Sequence, residues 1–220
     1  KGRSNMPDTL FKQPRKALAR WAALLLFALF LVLSYHVFFG YCVNVLRERS
    51  PWTYLKKAEL CSARNDWKGA VRMLEEAAKR DPQSPLPWER LGALYYTQQK
   101  DWEKSLQAYR TALELGSGSV DARGKIIWCL IHLKRFDGAA EFGKACIESG
   151  YAAPNFPRFV AEALRRAARH AESIPYFEQA LQGAPDDLYL VEMLMQAYNR
   201  IGNTQKANEL KRRIEQLQEH

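Results

Sequence analysis

DWKGAVRMLEEAAKRDP, residues 66–82, reads as one helix whose inward stripe is unusually light. Ala70, Leu74 and Ala77 stand four and then three residues apart, the spacing of one helical face, and Pro82 stops the run. Two alanines thus occupy positions where larger side chains would bury more area. DWEKSLQAYRTALELG, residues 101–116, repeats the order small, large, small at Ser105, Tyr109 and Ala112. A face that keeps small residues at fixed slots is one that another helix must approach closely.

Working outward from Ala70, small or short side chains recur at Ser105, Ala139, Ser173 and Ala207, at spacings of 35, 34, 34 and 34 residues. Seven residues later, Ala77, Ala112, Cys146, Ala180 and Ile214 keep the same spacings. Four residues after the reference stand Leu74, Tyr109, Gly143, Phe177 and Lys211; three before it stand Trp67, Trp102, Phe136, His170 and Thr204. Pro82 and Pro185 close their units, and Trp88, Leu91, Gly92 and Tyr95 form the pattern WxxLGxxY. From Ser50, a cap ahead of Pro51, no period-two apolar alternation appears, so the pattern is helical throughout.

A 34-residue period with WxxLGxxY, a small-to-large step and a closing proline resembles the tetratricopeptide repeat (TPR). The resemblance covers about 51–220 and implies an all-α solenoid of five antiparallel helix pairs, at about 51–84, 85–119, 120–153, 154–187 and 188–220. The third unit departs most, with Arg123, Ile126, Ile127 and Leu130 along its first helix and Gly143 in a large-residue slot. The fifth is degenerate at Lys211 and Ile214, and its polar end suits a terminal cap. The extra residue of the second unit is expected in the turn near Gln99 and Lys100. Ala112 is a required small slot, whereas Ala108 lies outside the required slots and is expected to tolerate a larger side chain better.

The chain has 220 residues and a formal net charge of +9, which invites a nucleic-acid reading. Position weakens it. Residues 1–50 hold eight Lys/Arg against Asp8 and Glu48, leaving 25 basic and 22 acidic residues for 51–220, so the folded part is nearly balanced. The basic excess flanks WAALLLFALFLVLSYHVFFGYCVNVL, residues 21–46, in which His36 is the one ionisable imidazole and no formal charge occurs. A spanning helix needs about 20 apolar residues, and a secretory leader only ~7–15 followed by small residues, unlike Gly40-Tyr41-Cys42. The expected organisation is a basic N-terminal arm (1–20), a single transmembrane helix (21–46) and the repeat domain (50–220).

Six Lys/Arg precede the apolar run, and Arg47, Arg49, Lys56 and Lys57 follow it closely. The excess on the amino-terminal side predicts a cytoplasmic N-terminus, with the repeat domain across the membrane, as in a bacterial inner membrane. Inside the run, Ser34, Tyr35 and His36 make a polar patch, and Ser34 and His36 are candidates for contact with another membrane helix.

Reaction chemistry is not evident. The chain lacks GxxxxGK[ST], GxSxG, HExxH and paired-cysteine metal spacings, and His36, His132, His170 and His220 share no ligand spacing. No catalytic residue, metal, cofactor, nucleic acid or small-molecule substrate is expected.

What the resemblance implies instead is protein binding along the face lined by the first helix of each unit. The residues it places there are Trp52, Arg90, Tyr96, Lys125, Trp128, Arg158, Phe159, Arg165, Arg166 and Arg200, with Lys56, Glu59, Glu89, His132, Gln196 and Asn199 among their neighbours. The Lys/Asn clamp by which some family members hold acidic carboxyl termini is not evident, since Leu55 and Glu59 replace its first two residues. The expected function is a membrane-anchored scaffold or assembly subunit whose partners are proteins, an integral membrane protein among them, and the lipid bilayer. An envelope chaperone acting on translocated clients is the alternative, and stoichiometry on copurification separates the two.

Overall fold

A computed structural model of the chain describes residues 26–42 and 50–219, all of their regular structure helical. The chain divides into two units, Lys1–Thr53 and Tyr54–His220.

In the first unit, α1 is described over residues 26–42, and every residue from 26 to 39 is exposed, including Leu26, Phe30, Val37 and Phe38. At 1.5 Å per residue this length is about 26 Å, short of a ~30 Å hydrocarbon layer. Among the described residues no helix is long and apolar enough to cross a membrane. The basic arm and the ends of the apolar run, 21–25 and 43–46, lie outside the described residues. Within α1 the Ser34 hydroxyl donates back to the Leu31 carbonyl at 3.1 Å, and Tyr35 stacks on Phe39 and meets His36 edge-on.

The repeat helices run α2 (Pro51–Ala63), α3 (Trp67–Arg80), α4 (Leu86–Leu94), α5 (Trp102–Glu114), α6 (Val120–His132), α7 (Phe136–Glu148), α8 (Phe156–Arg166), α9 (His170–Gly183), α10 (Leu188–Arg200) and α11 (Thr204–Gln218). Each of the four first-to-second helix turns that follow α2, α6, α8 and α10, like the turn after α4, contains one left-handed residue: Asn65, Lys100, Lys134, Ala168 and Gly202. They recur with the period of the small slots, because each turn ends a helix by reversing the backbone at the same place. In that geometry Arg135 N–H reaches the Leu130 carbonyl at 2.8 Å and Arg169 N–H reaches Leu164 at 2.9 Å, so the last carbonyls are satisfied. The additional residue of the second unit is absorbed by a π-helical turn, Tyr95–Gln99, that extends α4 and ends at left-handed Lys100.

The second helices start at a matching slot. Asp66, Asp101 and Asn203 accept from the backbone N–H three residues on, capping α3, α5 and α11. In the third and fourth units that slot holds Arg135 and Arg169, neither of which caps its helix. Both reach the preceding unit: Arg135 pairs with Glu103 at 3.1 Å, and Arg169, held by Glu172 of its own helix at 2.7 Å, also meets Asp137 at 3.1 Å.

Three apolar clusters fill the interior. Ala70, Ala77, Ala112 and Ala139 are wholly buried, as close helix nesting requires. Gly143 stands where other units carry a large residue because Val160 of α8 takes the space: a Cβ there would lie 2.5 Å from Val160 Cγ2. One expectation needs correcting. Ala108 is only 3 % exposed and packs with Leu74, Ala77 and Leu91 in the N-terminal cluster, so it faces the preceding unit instead of solvent. Ala108→Leu therefore meets the same overpacking as Ala112→Leu.

Candidate protein-binding face

α6 and α8, first helices of adjacent units, pack side by side. Across their seam Trp128 meets Phe159 edge-to-face, with ring centroids 5.3 Å apart. Phe159 in turn lies 6.0 Å from Phe156, while Trp128 lies 5.9 Å from His132, one turn along α6. His132 stacks on Trp102 of α5 at 4.1 Å and 8°, and Trp102 meets Tyr96 edge-on at 5.2 Å. The result is a continuous aromatic row reaching from α8 through α6 to the π-helical turn. Edge-to-face and offset pairs of this kind fix ring orientation as well as burying area.

A cavity of about 260 Å³ opens beside the row, lined by Tyr96, Asp121, Lys125, Trp128, Asn155 and Phe159 among others. Gly124 keeps it open on the α6 side. The Lys125 ammonium sits 4.8 Å over the Tyr96 ring and 3.9 Å from the Asp121 carboxylate, a long pair with an exposed acid. Burial, followed by the negative charge potential of Cys129 and Asp121, pushes the Tyr96 phenol up. The His132 imidazole is pushed down by burial and then by Arg166 and Lys100, which keeps the stacked ring neutral near pH 7.

The arginines expected on this face are paired with acids. Arg165 Nε and Nη2 donate to the two oxygens of Glu162 at 2.9 Å each, and Arg166 Nε donates to Glu162 Oε1 at 2.6 Å. The Tyr189 hydroxyl donates to Glu162 Oε2 at 3.1 Å. Glu162 is buried; desolvation alone would raise its carboxyl, but the two guanidinium partners more than reverse this and hold it below the ordinary range. Arg158 pairs with Asp187 at 2.9 Å and lies over Tyr189. Arg90 pairs with Glu59 at 2.5 Å, both lining a second cavity of about 310 Å³ between α2 and α4.

Of the expected face residues, the structure thus gathers Tyr96, Lys125, Trp128 and Phe159 around one cavity. Arg165 and Arg166 share Glu162, Arg158 and Arg90 make separate pairs, and Arg200 is exposed at the end of α10. Trp52, 57 % exposed, belongs to the first unit. Ser34 and His36 are exposed on α1. Glu162 and Trp102, the latter legible in sequence only as a repeat slot, also belong to this arrangement. Glu162 had a signal in its i, i+3, i+4 spacing to the two arginines, but an exposed helix would carry the same spacing.

Helix pairs stacked at a 34-residue period, each nested on the next through small residues, define a helix-pair solenoid. The Tetratricopeptide repeat family matches residues 44–146, so that stretch is built of tetratricopeptide repeats. Among solved structures it is similar to MamA (TM-score 0.70, 15% identity, 78% of this chain and 93% of that one). A MamA fragment from Desulfovibrio magneticus RS-1 superposes with TM-score 0.66 at 17% identity, over 77% of this chain and 95% of that one. YrrB, described as a TPR protein with an unusual peptide-binding site, gives TM-score 0.69 at 16% identity, over 80% of this chain and 91% of that one. At these identities the likeness is one of fold. No curated protein sequence matches the chain. At the level of the family, the chain is a protein–protein interaction scaffold.

Proposed function

We propose that the chain is a single-pass, membrane-anchored scaffold or assembly subunit that holds a protein partner on the α6–α8 face. The observation that carries the reading is the aromatic row beside an open cavity. Large aromatic side chains in a cleft are the usual anchors of protein interfaces, because they bury much area with few rotatable bonds. That YrrB is described as having a peptide-binding site on the same fold is consistent with this use.

Anchoring is supported by the charge-free run 21–46 and by the all-round apolar exposure of α1, a surface that water solvates poorly. The Lys/Arg excess before the run supports a cytoplasmic N-terminus, with the repeats on the periplasmic or equivalent side. The integral membrane partner would meet α1 through Ser34 and His36. The Ser34 hydroxyl already bonds its own helix, so His36 has the greater capacity for such a contact.

The test is copurification of the full chain in mild detergent. A partner at fixed stoichiometry that is lost in Trp128→Ala, with helix content kept by circular dichroism, supports the scaffold. Lys125→Glu, on the rim, serves as the second variant if truncation of Trp128 unfolds the chain. Retention of the partner by both folded variants overturns this face as the interface, and a heterogeneous set of clients favours the chaperone.

A further inference from the structure

We infer that the α6–α8 face takes an acidic partner segment in which a large aromatic side chain and a carboxylate stand three residues apart. This rests on the scaffold reading above and names the chemistry of its partner. Two features of the face, the cavity and a guanidinium near His132, define the pair.

The first is the cavity beside Trp128. At about 260 Å³ it falls below the ~300–1,000 Å³ typical of small-molecule sites and is of a size for one bulky side chain. Its walls include Tyr96, Trp128 and Phe159, which favour an aromatic occupant, and Lys125 at its edge favours negative charge nearby.

The second is the guanidinium of Arg166, in the last turn of α8. Glu162, itself 4 % exposed, holds Arg166 through Nε alone. Among the described residues the two terminal nitrogens of Arg166 meet no acceptor, and its side chain is 40% exposed. A guanidinium gripped at one edge, with its terminal donors turned outward, is prepared for a carboxylate. Glu162 is a positioning residue here: its carboxylate is shared by four donors from three residues, two of them arginines, so the local field outside stays cationic. Lys100 adds positive charge nearby, since both Arg166 and Lys100 disfavour a proton on His132.

The spacing follows from helix geometry. Arg166 lies seven residues beyond Phe159 on one helix, about 10 Å along its axis. An extended chain covers that in about three residues. Of the acids on this face, Asp121 is 79% exposed and only loosely paired, Asp187 is paired with Arg158, and Glu162 is fully engaged.

Binding of fluorescein-labelled peptides to the full chain in detergent tests this by anisotropy. The probes are Ac-GFGGEG-NH2 and its reverse order, Ac-GEGGFG-NH2, with Lys or Ala in place of Glu or Phe. One of the two orders should bind at least tenfold more tightly than its Lys counterpart, and more weakly as salt rises. Arg166→Gln, which leaves Arg165 and Tyr189 on Glu162, should bring the Glu/Lys preference to within twofold. Lys-containing probes binding as well as Glu-containing ones, equal binding of the Phe and Ala probes, no binding by any probe, or an unchanged preference in Arg166→Gln overturns the acidic segment. If copurification still depends on Trp128 in that case, the scaffold face stands and its partner has other chemistry; if it does not, both readings fall.

Discussion

The ring of Tyr109 lies against Gly92: Cγ, Cδ1 and Cδ2 each stand 2.9 Å from the point a Cβ on Gly92 would occupy. The two residues come from the facing helices of one unit, and Ser105, one turn before Tyr109, donates to the Gly92 carbonyl at 3.0 Å. A glycine in mid-helix costs helix stability, and here it admits an aromatic ring that is 3 % exposed. Gly92→Ala should therefore destabilise by about 1–3 kcal/mol through overpacking. Gly138→Ala, where nothing stands within 4 Å, should be neutral or stabilising by about 0.5–1 kcal/mol. Urea denaturation of the two variants checks the contrast, and equal shifts would show that Tyr109 can step aside.

Ala168 holds φ at +59 in the turn where the next unit has Gly202 at +80. A side chain in this left-handed region costs about 1–2 kcal/mol, partly offset because glycine loses more freedom on folding. Ala168→Gly should stabilise the array by up to about 1 kcal/mol, and Gly202→Ala should destabilise it by a similar amount. A lower melting temperature for Ala168→Gly would show that the alanine is unstrained.

Glu162 ties stability to pH. Its carboxyl is held below the ordinary range in the folded chain, where burial is outweighed by Arg165 and Arg166. The unfolded chain therefore binds a proton first as pH falls. The contribution is complete above the unfolded value, about 4.3, and is lost as pH drops through the folded one. Glu162→Gln should cost about 2 kcal/mol at neutral pH and reduce the fall in urea midpoint between about pH 5 and pH 3. Parallel pH profiles for the two proteins would assign acid sensitivity to other carboxylates.

Topology is read with reporters. Under the proposed orientation a periplasm-active reporter fused after His220 should be active, and one fused near Asp8 silent. The reverse pattern would place the repeats in the cytoplasm and remove the charge argument.

The period was legible because nesting restricts residue size at fixed slots, and size shows directly in a sequence. The added residue near Gln99 and Lys100 was legible for the same reason, as a slip in that period, although nothing marked the slip as a π-helical turn. Ala108 was misread because the slots used were those within a unit, and it packs on the unit before. Glu162 has a spacing to its arginines that an exposed helix would also carry; its contacts with Tyr189 and the paired arginines, 27, three and four residues away, make it a buried centre. The stacking of His132 on Trp102 joins side chains 30 positions apart on different units, which local patterns do not encode.

Arg135 and Arg169 have a further consequence. Each occupies a place where an aspartate would have finished its own helix, an exchange that typically costs about 1 kcal/mol of local stability. In return Arg135 meets Glu103 across the boundary, and Arg169 divides its guanidinium between Glu172 of its own helix and Asp137 across the boundary. The middle units are thereby poorer as separate pieces and better as neighbours, in an array whose behaviour depends on intrinsic and nearest-neighbour terms together.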